Sequence, residues 1–296
     1  MVPSVGFIGL GALGTPMAAN LLAKGLPLAV HNRRRERELP LAAAGARRAA
    51  TPAEAARGAG ILALCLSDDT AVAEVLLGQG SATANAAITG LAAGALVVDF
   101  STIAPSSSRA MAAALAERGV AYLDAPVTGG TEGARAGTLS VLVGGEAGDL
   151  ERARPVLEAV GGRIGHFGKV GAGQEAKAVN QVLVAGSYAA VAEAMALGQK
   201  LGLPMEQVRQ ALVGGAAGSW ALEHRGGSML RGAFPLGFRL RLHRKDLTIA
   251  LEAAAGSGLG LPVAAQVAAM EDDLIAAGYG DEDVSALARW FGGGSR

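Results

Sequence analysis

Residues 5–14 read VGFIGLGALG, a short apolar run followed at once by glycines at regular positions. Gly9, Gly11 and Gly14 form the pattern G-x-G-x-x-G between a predicted strand and a predicted helix. In such a unit the first glycine permits a tight turn, the second lets the backbone approach a pyrophosphate, and the third lets the helix pack closely on the strand. The helix presents its N-terminal amides to the phosphates. We therefore predict that a dinucleotide binds at Gly9, Gly11, Leu13 and Gly14.

Short apolar runs alternate with alanine-rich helical patterns through the first half of the chain. This alternation predicts βαβ units and a parallel sheet covered by helices on both faces. Such strands read as continuous apolar runs because both of their faces are buried. The predicted strands span residues 5–8, 28–31, 61–66, 96–100, 121–123, 140–143 and 163–167, and helices between them span residues 17–23, 71–77 and 106–117.

The pattern changes near Gly168, where strand signals end and helical patterns occupy residues 171–200, 205–213, 245–255 and 262–277. We predict an α/β Rossmann-type parallel sheet domain at residues 1–168, an all-α domain at residues 169–296, and an active site between them. The second domain carries more apolar helical surface than a domain of its size can cover alone, notably at residues 182–197. A homodimer or homotetramer with helical domains at its interface is therefore expected.

The composition of the 296-residue chain narrows the function classes. Lysine plus arginine and aspartate plus glutamate both number 26, so the zero net charge gives no electrostatic footprint for nucleic acid or an anionic membrane. A hydrophobic content of 51% excludes a disordered chain. Cys65 is the only cysteine and no Cys/His spacing matches a zinc site, so no disulfide or metal is expected. We predict a soluble, cytoplasmic protein without a membrane span, because polar residues and glycines interrupt the apolar stretches.

The end of the second predicted strand bears on which dinucleotide is used. An NAD site normally has an acidic residue here, which accepts a hydrogen bond from the ribose 2′-hydroxyl. This chain has Asn32, Arg33, Arg34 and Arg35, and no acid before Glu36. Asparagine can still bond the ribose, and arginines suit a 2′-phosphate through forked, charge-assisted hydrogen bonds. We predict NADP as the cofactor; NAD, with a merely solvated arginine run, is the alternative.

Three segments beyond other predicted strands extend this site. Leu66 and Ser67, at the end of the run 61–66, are predicted to contact the cofactor, because open α/β sheets bind ligands at the carboxyl ends of strands. Thr102 follows the strand 96–100 and is a further candidate, with a helix N-cap as its alternative role. Thr128 leads into the turn Gly129-Gly130, whose free backbone N–H groups can hold a carboxylate unless the turn is only structural.

Lys177 is one of only five lysines and lies early in a long apolar helical pattern. An ammonium group is costly to bury there unless it is paired or functional. Asn180 and Gln181 follow at i+3 and i+4, which places all three side chains on one face of the helix. A lysine and an amide can together bind one carbonyl oxygen, so we predict catalytic roles for Lys177 and Asn180. The alternative is a lysine that extends to solvent.

These motifs resemble the β-hydroxyacid dehydrogenase family, which includes 3-hydroxyisobutyrate dehydrogenases, tartronate semialdehyde reductases and glyoxylate/succinic semialdehyde reductases. The similarity covers nearly the whole chain. It rests on the glycine motif with its continuation PMA at 16–18 and NL at 20–21, on DAPVTGG at 124–130, and on GAGQEAKAVNQ at 171–181. The sequence KDL at 245–247 matches a late motif of the same family.

The resemblance implies a role for each matching position. Lys177 corresponds to the catalytic acid/base, and Asn180 to the residue that orients the substrate. The segment 128–130 corresponds to the carboxylate-binding turn, where the family usually has serine in place of Thr128. Thr102 matches a nicotinamide or ribose contact, and Lys245 matches a lysine that faces the cofactor.

The expected activity is reversible hydride transfer between NADP(H) and a small β-hydroxy acid or its semialdehyde. In reduction Lys177 donates a proton to the developing alkoxide, and in oxidation it takes the hydroxyl proton. The pair Asn180-Gln181 leans toward the tartronate semialdehyde reductases, because 3-hydroxyisobutyrate dehydrogenases commonly have Asn-Asn. The alternatives are an imine reductase-like enzyme, a group that typically lacks this lysine, and a catalytically idle nucleotide-binding scaffold.

Overall fold

The computed structural model describes residues 3–78 and 80–292. The chain divides into two compact units, Met1–Lys177 and Ala178–Arg296. The division falls inside a helix, later in the chain than the boundary predicted near Gly168.

The first unit is built on a nine-stranded sheet. Its strands are β1 (Val5–Ile8), β2 (Leu28–His31), β3 (Arg47–Arg48), β4 (Ile61–Leu64), β5 (Leu96–Asp99), β6 (Ala121–Asp124), β7 (Val127–Thr128), β8 (Leu139–Gly144) and β9 (Gly161–Gly168). The spatial order is β3-β2-β1-β4-β5-β6-β8-β7, with β9 paired to β8. The strand order through β6 is that of a Rossmann-type domain, as predicted.

The sheet is parallel from β3 to β6 and again between β8 and β9. The sheet is thus mainly parallel, as predicted, and β8 is the exception, because it runs antiparallel to β6 and β7. The connection from β7 to β8 contains only a seven-residue helix, whereas the connection from β8 to β9 contains a helix of 14 residues. Short connections suit antiparallel neighbours, and parallel neighbours need a longer crossover.

Helices cover both faces of the sheet. They are α1 (Gly14–Ala23), α2 (Leu39–Ala43), α3 (Pro52–Ala56), α4 (Asp69–Leu77), α5 (Pro105–Ala116), α6 (Gly130–Ala136) and α7 (Ala147–Val160), with 3₁₀ turns at Arg35–Glu38, Gly80–Asn85 and Ala87–Thr89. Successive strand residues point to opposite faces, so Phe7 joins the core under α1 and α7 while Ile8 joins the core under α4 and α5. β1, β4 and β5 are buried at every residue, which explains their continuous apolar runs.

The second unit is helical. Its helices are α8 (Ala172–Lys200), which begins in the first unit, α9 (Met205–Val213), α10 (Trp220–His224), α11 (Gly226–Leu230), α12 (Leu240–Gly256), α13 (Pro262–Ala276) and α14 (Ala288–Phe291), with a 3₁₀ turn at Val284–Leu287. Tyr188 and Met195 of α8 share one core with Leu247 of α12 and Val267 of α13. This all-α unit confirms the predicted fold class.

α8 is long and apolar enough, by length and composition alone, to cross a membrane. The sequence predicts no such segment, because α8 also contains Asn180, Gln181 and Glu193. Core helices of globular proteins meet the same two criteria, so they do not by themselves assign α8 to a membrane.

Candidate active site

The carboxyl ends of five strands form one edge of the sheet. β2, β1, β4, β5 and β6 are parallel and end in register, with Ile8 beside His31 and Leu64, and Asp99 beside Leu64 and Asp124. The residues that follow these ends therefore lie along the same edge. The structure thereby brings together the predicted cofactor residues Gly9, Asn32, Leu66 and Thr102.

The three glycines of the G-x-G-x-x-G loop have different surroundings. Gly9 has a φ of +101°, and a Cβ on it would lie 2.2 Å from the backbone oxygen of Cys65. A Cβ on Gly14 would lie 1.9 Å from the backbone oxygen of Gly9, whereas a Cβ on Gly11 would have no atom within 4 Å. Gly9 and Gly14 are thus required by the fold, and Gly11 leaves open space against the loop. This is the arrangement that a pyrophosphate needs.

The N-terminus of α1 faces the same loop. Leu13 holds its N-cap position, and no side chain from the described ranges 3–78 and 80–292 caps the helix there. The first amides of a helix have no intrahelical partner, and they carry the positive end of its dipole. In α1 the Thr15 amide donates to the Gly11 carbonyl at 3.1 Å and Pro16 has no N–H, so, among the described residues, the amides of Leu13 and Gly14 are those left for a phosphate.

Asn32 joins the glycine loop to the end of β2. Its Oδ1 accepts a hydrogen bond from the Leu10 amide at 2.9 Å, and its Nδ2 donates to the Arg34 carbonyl at 2.8 Å. The Asn32 amide donates to Oε1 of Glu38 at 3.0 Å. Glu38 is fully buried, and its Oε2 lies 2.8 Å from Nε of Arg48 and 3.0 Å from Arg35. Both oxygens of this carboxylate are therefore occupied by the protein.

The arginine run after Asn32 divides into two groups. Arg35 donates to the Ala49 carbonyl at 2.8 Å, and Arg37 donates to the Leu10 carbonyl at 3.0 Å, so these two stabilise the loop. Arg33 and Arg34 are exposed and, within the part of the chain that the structure describes, their guanidinium groups form no hydrogen bond or ion pair. Within this run of arginines, only Arg33 and Arg34 have guanidinium groups that are not already bonded to described parts of the protein and can bind a ligand.

The ends of β4 and β5 are tied to each other. The Leu66 amide donates to Oγ of Ser101 at 2.9 Å, and the Ala104 amide donates to Asp69 at 2.9 Å. Ser67 is exposed beside Leu66, and half-buried Thr102 lies between the two tied positions. α5 has Ala104 at its N-cap, so the alternative role of Thr102 as a helix cap is wrong.

Asp99 supports this edge from beneath, a role that the sequence analysis missed. It is fully buried, and its carboxylate accepts hydrogen bonds from the Ser101 amide and the Tyr122 hydroxyl, both at 2.9 Å. Burial raises the pKa of Asp99 to about 6. Burial, with the nearby charge of Asp99, also raises the pKa of the Cys65 thiol to about 12, so this cysteine stays protonated. An acid ending an apolar strand is the sequence signal that could have identified Asp99.

The first turn of α8 is anchored by two buried side chains. Asp124, at the end of β6, accepts hydrogen bonds from the amides of Gly171 at 2.7 Å and Gln174 at 2.9 Å. Burial raises the pKa of Asp124 despite these donors. Gln174 donates through Nε2 to the Ser101 carbonyl at 2.8 Å and accepts from the Ile103 amide at 3.3 Å. These contacts fix the start of the helix on which Lys177 lies.

Lys177 lies one turn after Gln174 and is only 6% exposed. A lysine that reaches solvent with its ammonium group would be far more accessible, so the burial does not match that alternative. Burying an ammonium group is costly unless it is paired or functional.

Asn180 lies on the next turn of α8, in the second unit, within a chain of polar contacts. Its Nδ2 donates to Oε1 of Gln181 at 2.7 Å, and Nε2 of Gln181 donates to Oδ2 of Asp246 at 2.6 Å. Nζ of Lys245 lies 2.9 Å from Oδ1 of Asp246. Lys245, a predicted cofactor contact, thus forms an ion pair with its neighbour on α12.

The turn after β7 has the backbone that a Gly-Gly pair allows. Gly129 and Gly130 have φ values of +129° and +64°, in the region that other residues adopt only with strain. Half-buried Thr128 precedes them and pairs with Ser140 of β8. Within residues 3–78 and 80–292, no three His, Cys, Asp or Glu side chains are grouped so that they could hold a metal ion.

Two family models match successive parts of the chain. Residues 4–168 match the NAD binding domain of 6-phosphogluconate dehydrogenase. Residues 171–291 match a model described as "NAD-binding of NADP-dependent 3-hydroxyisobutyrate dehydrogenase". The chain belongs to the β-hydroxyacid dehydrogenase family. The resemblance seen in the sequence is confirmed, and this β-hydroxyacid dehydrogenase is an NAD(P)-dependent enzyme acting on a hydroxy acid.

Individual relatives are similar over almost their whole lengths. An NAD-dependent L-serine dehydrogenase from Pseudomonas aeruginosa is 40% identical, with 97% of each chain covered. A 2-hydroxy-3-oxopropionate reductase from Escherichia coli is 39% identical, with 96% of each covered. A solved structure of 3-hydroxyisobutyrate dehydrogenase from Mycobacterium tuberculosis with L-serine has a TM-score of 0.85 at 32% identity, covering 98% of this chain and 99% of that one.

Proposed function

We propose that this β-hydroxyacid dehydrogenase uses NADP(H) and interconverts 3-hydroxypropanoates substituted at C2 with their semialdehydes. The names of its relatives support this substrate class. L-serine, 3-hydroxyisobutyrate and 2-hydroxy-3-oxopropionate each have a carboxylate, a C2 atom with one variable substituent, and a C3 that is a hydroxymethyl or an aldehyde group. An enzyme of this family needs one group for the carboxylate and one for the oxygen on C3.

The buried Lys177 is the observation that carries the proposal. We assign it the proton transfer at the C3 oxygen, which in reduction receives a proton from the ammonium and in oxidation gives one to the neutral amine. Asn180 hydrogen-bonds the same oxygen, and the amides of Gly129 and Gly130 with the Thr128 hydroxyl hold the carboxylate. The nicotinamide, when bound, supplies or accepts the hydride.

The first substrate that we propose is tartronate semialdehyde, which is 2-hydroxy-3-oxopropionate, because Asn180 is followed by Gln181. The test is the initial rate of NADPH oxidation with this compound, methylmalonate semialdehyde, glyoxylate, succinic semialdehyde and a cyclic imine. We expect the C2-substituted semialdehydes to give the highest kcat/KM values. Faster reduction of the imine would favour the imine reductase-like alternative and contradict the proposal.

The preference for NADP over NAD rests on the two free arginines. Glu38 is occupied by the protein, whereas Arg33 and Arg34 are exposed and can pair with a 2′-phosphate. Hydrogen bonds to charged groups contribute about 1.5–3 kcal/mol, which corresponds to a preference of roughly tenfold to a hundredfold. We expect a lower KM for NADPH than for NADH, and Arg33→Ala should remove most of the difference.

The matched control is Arg118→Ala, which changes an exposed arginine before β6, at the opposite edge of the sheet. It should leave both KM values unchanged. Equal kcat/KM values for the two cofactors in the wild type would contradict the NADP preference. Higher salt should also narrow the preference, because exposed charges are screened.

We further propose a homodimer or homotetramer in which α8 contributes to the interface. Val179, Leu183 and Leu197 are exposed on α8, and Leu201 is exposed just after it. Their spacing of 4, 18 and 22 residues from Val179 places them on one helical face. Large apolar side chains exposed along one helical face are typical of a protein–protein interface. A monomer mass by light scattering at micromolar concentration would contradict this proposal.

A further inference from the structure

A chain of polar contacts in the second unit ends at Asn180. It begins with the ion pair of Lys245 and Asp246 on α12 and continues by hydrogen bonds through Gln181 on α8. Gln181 is 1% exposed and Asp246 is 3% exposed, so water does not compete for the hydrogen bond between these two side chains. A buried polar network of this kind fixes side-chain orientation more strongly than the same contacts at the surface.

The donor and acceptor groups of these four side chains allow the hydrogen bonds to run in only one direction. A carboxylate only accepts hydrogen bonds, so Gln181 must turn its Nε2 toward Asp246. Its Oε1 then faces Asn180, and only Nδ2 of Asn180 can donate to it. If Asn180 flipped, its Oδ1 would face Oε1 of Gln181, and relieving that contact by flipping Gln181 would set a second oxygen against Asp246. The carboxylate of Asp246 therefore determines which way the Asn180 amide points.

α12 also holds the backbone of Gln181. His243, one turn before Asp246 on α12, has Nε2 at 3.4 Å from the Gln181 carbonyl oxygen. Its other ring nitrogen, Nδ1, lies 2.6 Å from Oε1 of Glu271 on α13, and both side chains are fully buried. The main chain and the side chain of Gln181 are thus both fixed, which leaves the chain of contacts little freedom to rearrange.

We infer that Gln181 and Asp246 are positioning residues that keep the second N–H of the Asn180 amide directed at the substrate oxygen. The inference rests on the proposed function, in which Asn180 binds that oxygen. It predicts that Asp246 affects turnover through Asn180 and not by contact with the substrate. A misplaced contact of this kind can lower a rate by roughly a hundredfold.

The test is a double-mutant cycle on the full-length enzyme, with the best semialdehyde substrate and NADPH. Asp246→Asn lets the carboxamide donate to Gln181 and so permits the flipped orientation, and Gln181→Met removes the chain while keeping a similar length. We expect each to lower kcat about tenfold to a hundredfold, and Gln181→Met, which leaves the pair of Lys245 and Asp246 in place, to leave the KM for NADPH unchanged. In an Asn180→Ala background, neither should lower kcat further.

The control is Asp272→Asn, which removes an exposed ion pair between α13 and Arg244 of α12, outside the chain of contacts. It should leave kcat unchanged. Thermal unfolding shows which variants fold. Because Gln181→Met and Asp246→Asn test the inference independently, one of them is sufficient if the other does not fold.

The outcomes separate the inference from the function on which it rests. No turnover of any hydroxy acid or semialdehyde by the wild type would overturn the proposed function. Unchanged kcat in Asn180→Ala would overturn the role of Asn180. If the wild type and Asn180→Ala behave as expected but the losses add in the double variants, or if folded Gln181→Met keeps its kcat, the positioning inference alone is wrong.

Discussion

The first turn of α8 and a later turn are fixed in different ways. In the first, Asp124 and Gln174 bind backbone amides and a carbonyl, so they hold the main chain on which Lys177 lies. In the later turn, Gln181 and Asp246 bind side-chain atoms, so they orient the single amide of Asn180. Contacts to the backbone decide where a helix begins, and contacts between side chains decide which atom a residue presents. Stability should therefore depend mainly on the first set, and turnover on the second.

The largest effect should come from Lys177 itself. Lys177→Ala should lower kcat by about 10²–10⁴-fold, the usual contribution of a positioned acid or base, while cofactor affinity changes little. Steady-state rates and NADPH binding followed by fluorescence measure the two quantities. Lys200→Ala, at the far end of α8 and exposed, is the control. Near-normal turnover of Lys177→Ala would show that Lys177 is not the acid/base. The first turn of α8 would then hold no catalytic residue in place.

The next largest effect should be the dependence of stability on pH through Asp99, which supports the Ser101 loop that Gln174 binds. Its pKa is about 6 when folded and near 4 when unfolded, so the folded protein holds its proton more tightly. This contribution to stability is present below pH 4 and is lost as pH rises through 6, by up to about 3 kcal/mol.

Asp99→Asn should therefore flatten the decline in the free energy of unfolding between pH 4 and pH 6, as measured by urea titrations. The wild type is the reference, because Asp124, whose pKa is also raised, is present in both proteins. Identical slopes in the two proteins would show that Asp99 does not titrate in this range.

A smaller effect should come from the backbone anchor. Asp124→Ala leaves the amides of Gly171 and Gln174 without their acceptor, which should lower the free energy of unfolding by about 1–2 kcal/mol. Asp149→Ala, which removes an exposed ion pair with Arg152 on α7, should have little effect. The difference between the two turns is supported if Asp124→Ala lowers the free energy of unfolding more than Asp246→Asn does, while Asp246→Asn lowers kcat more than Asp124→Ala does. The reverse pattern would break it.

The sequence predicted those parts of the fold that depend on local pattern. The buried strands were found because they are continuously apolar, and the glycine loop because each glycine meets a local requirement of the backbone. β3 was missed because its two residues, Arg47 and Arg48, are exposed and carry no apolar signal. α7 was missed as well, and it contains Pro155, a residue unusual inside a helix.

In the candidate site, too, the sequence predicted residues within local motifs but not the contacts between distant elements. Asp124 and Gln174 were quoted as parts of motifs, but their contact spans 50 residues and depends on where β6 ends relative to α8. Gln181 and Asp246 are 65 residues apart, and the spacing within one helix does not indicate which other helix packs against it. Contacts between distant elements are set by packing, and a single sequence does not encode them in a readable pattern.

Because there is open space beside Gly11, one carbon atom added there should affect coenzyme binding but not folding. A methyl group added there meets no protein atom within 4 Å, so Gly11→Ala should fold as the wild type does. The same methyl group would occupy the volume that the pyrophosphate of the coenzyme requires, so it should hinder coenzyme binding sterically. We expect Gly11→Ala to fold but to bind the nucleotide weakly, so a property that this variant retains does not depend on the bound nucleotide.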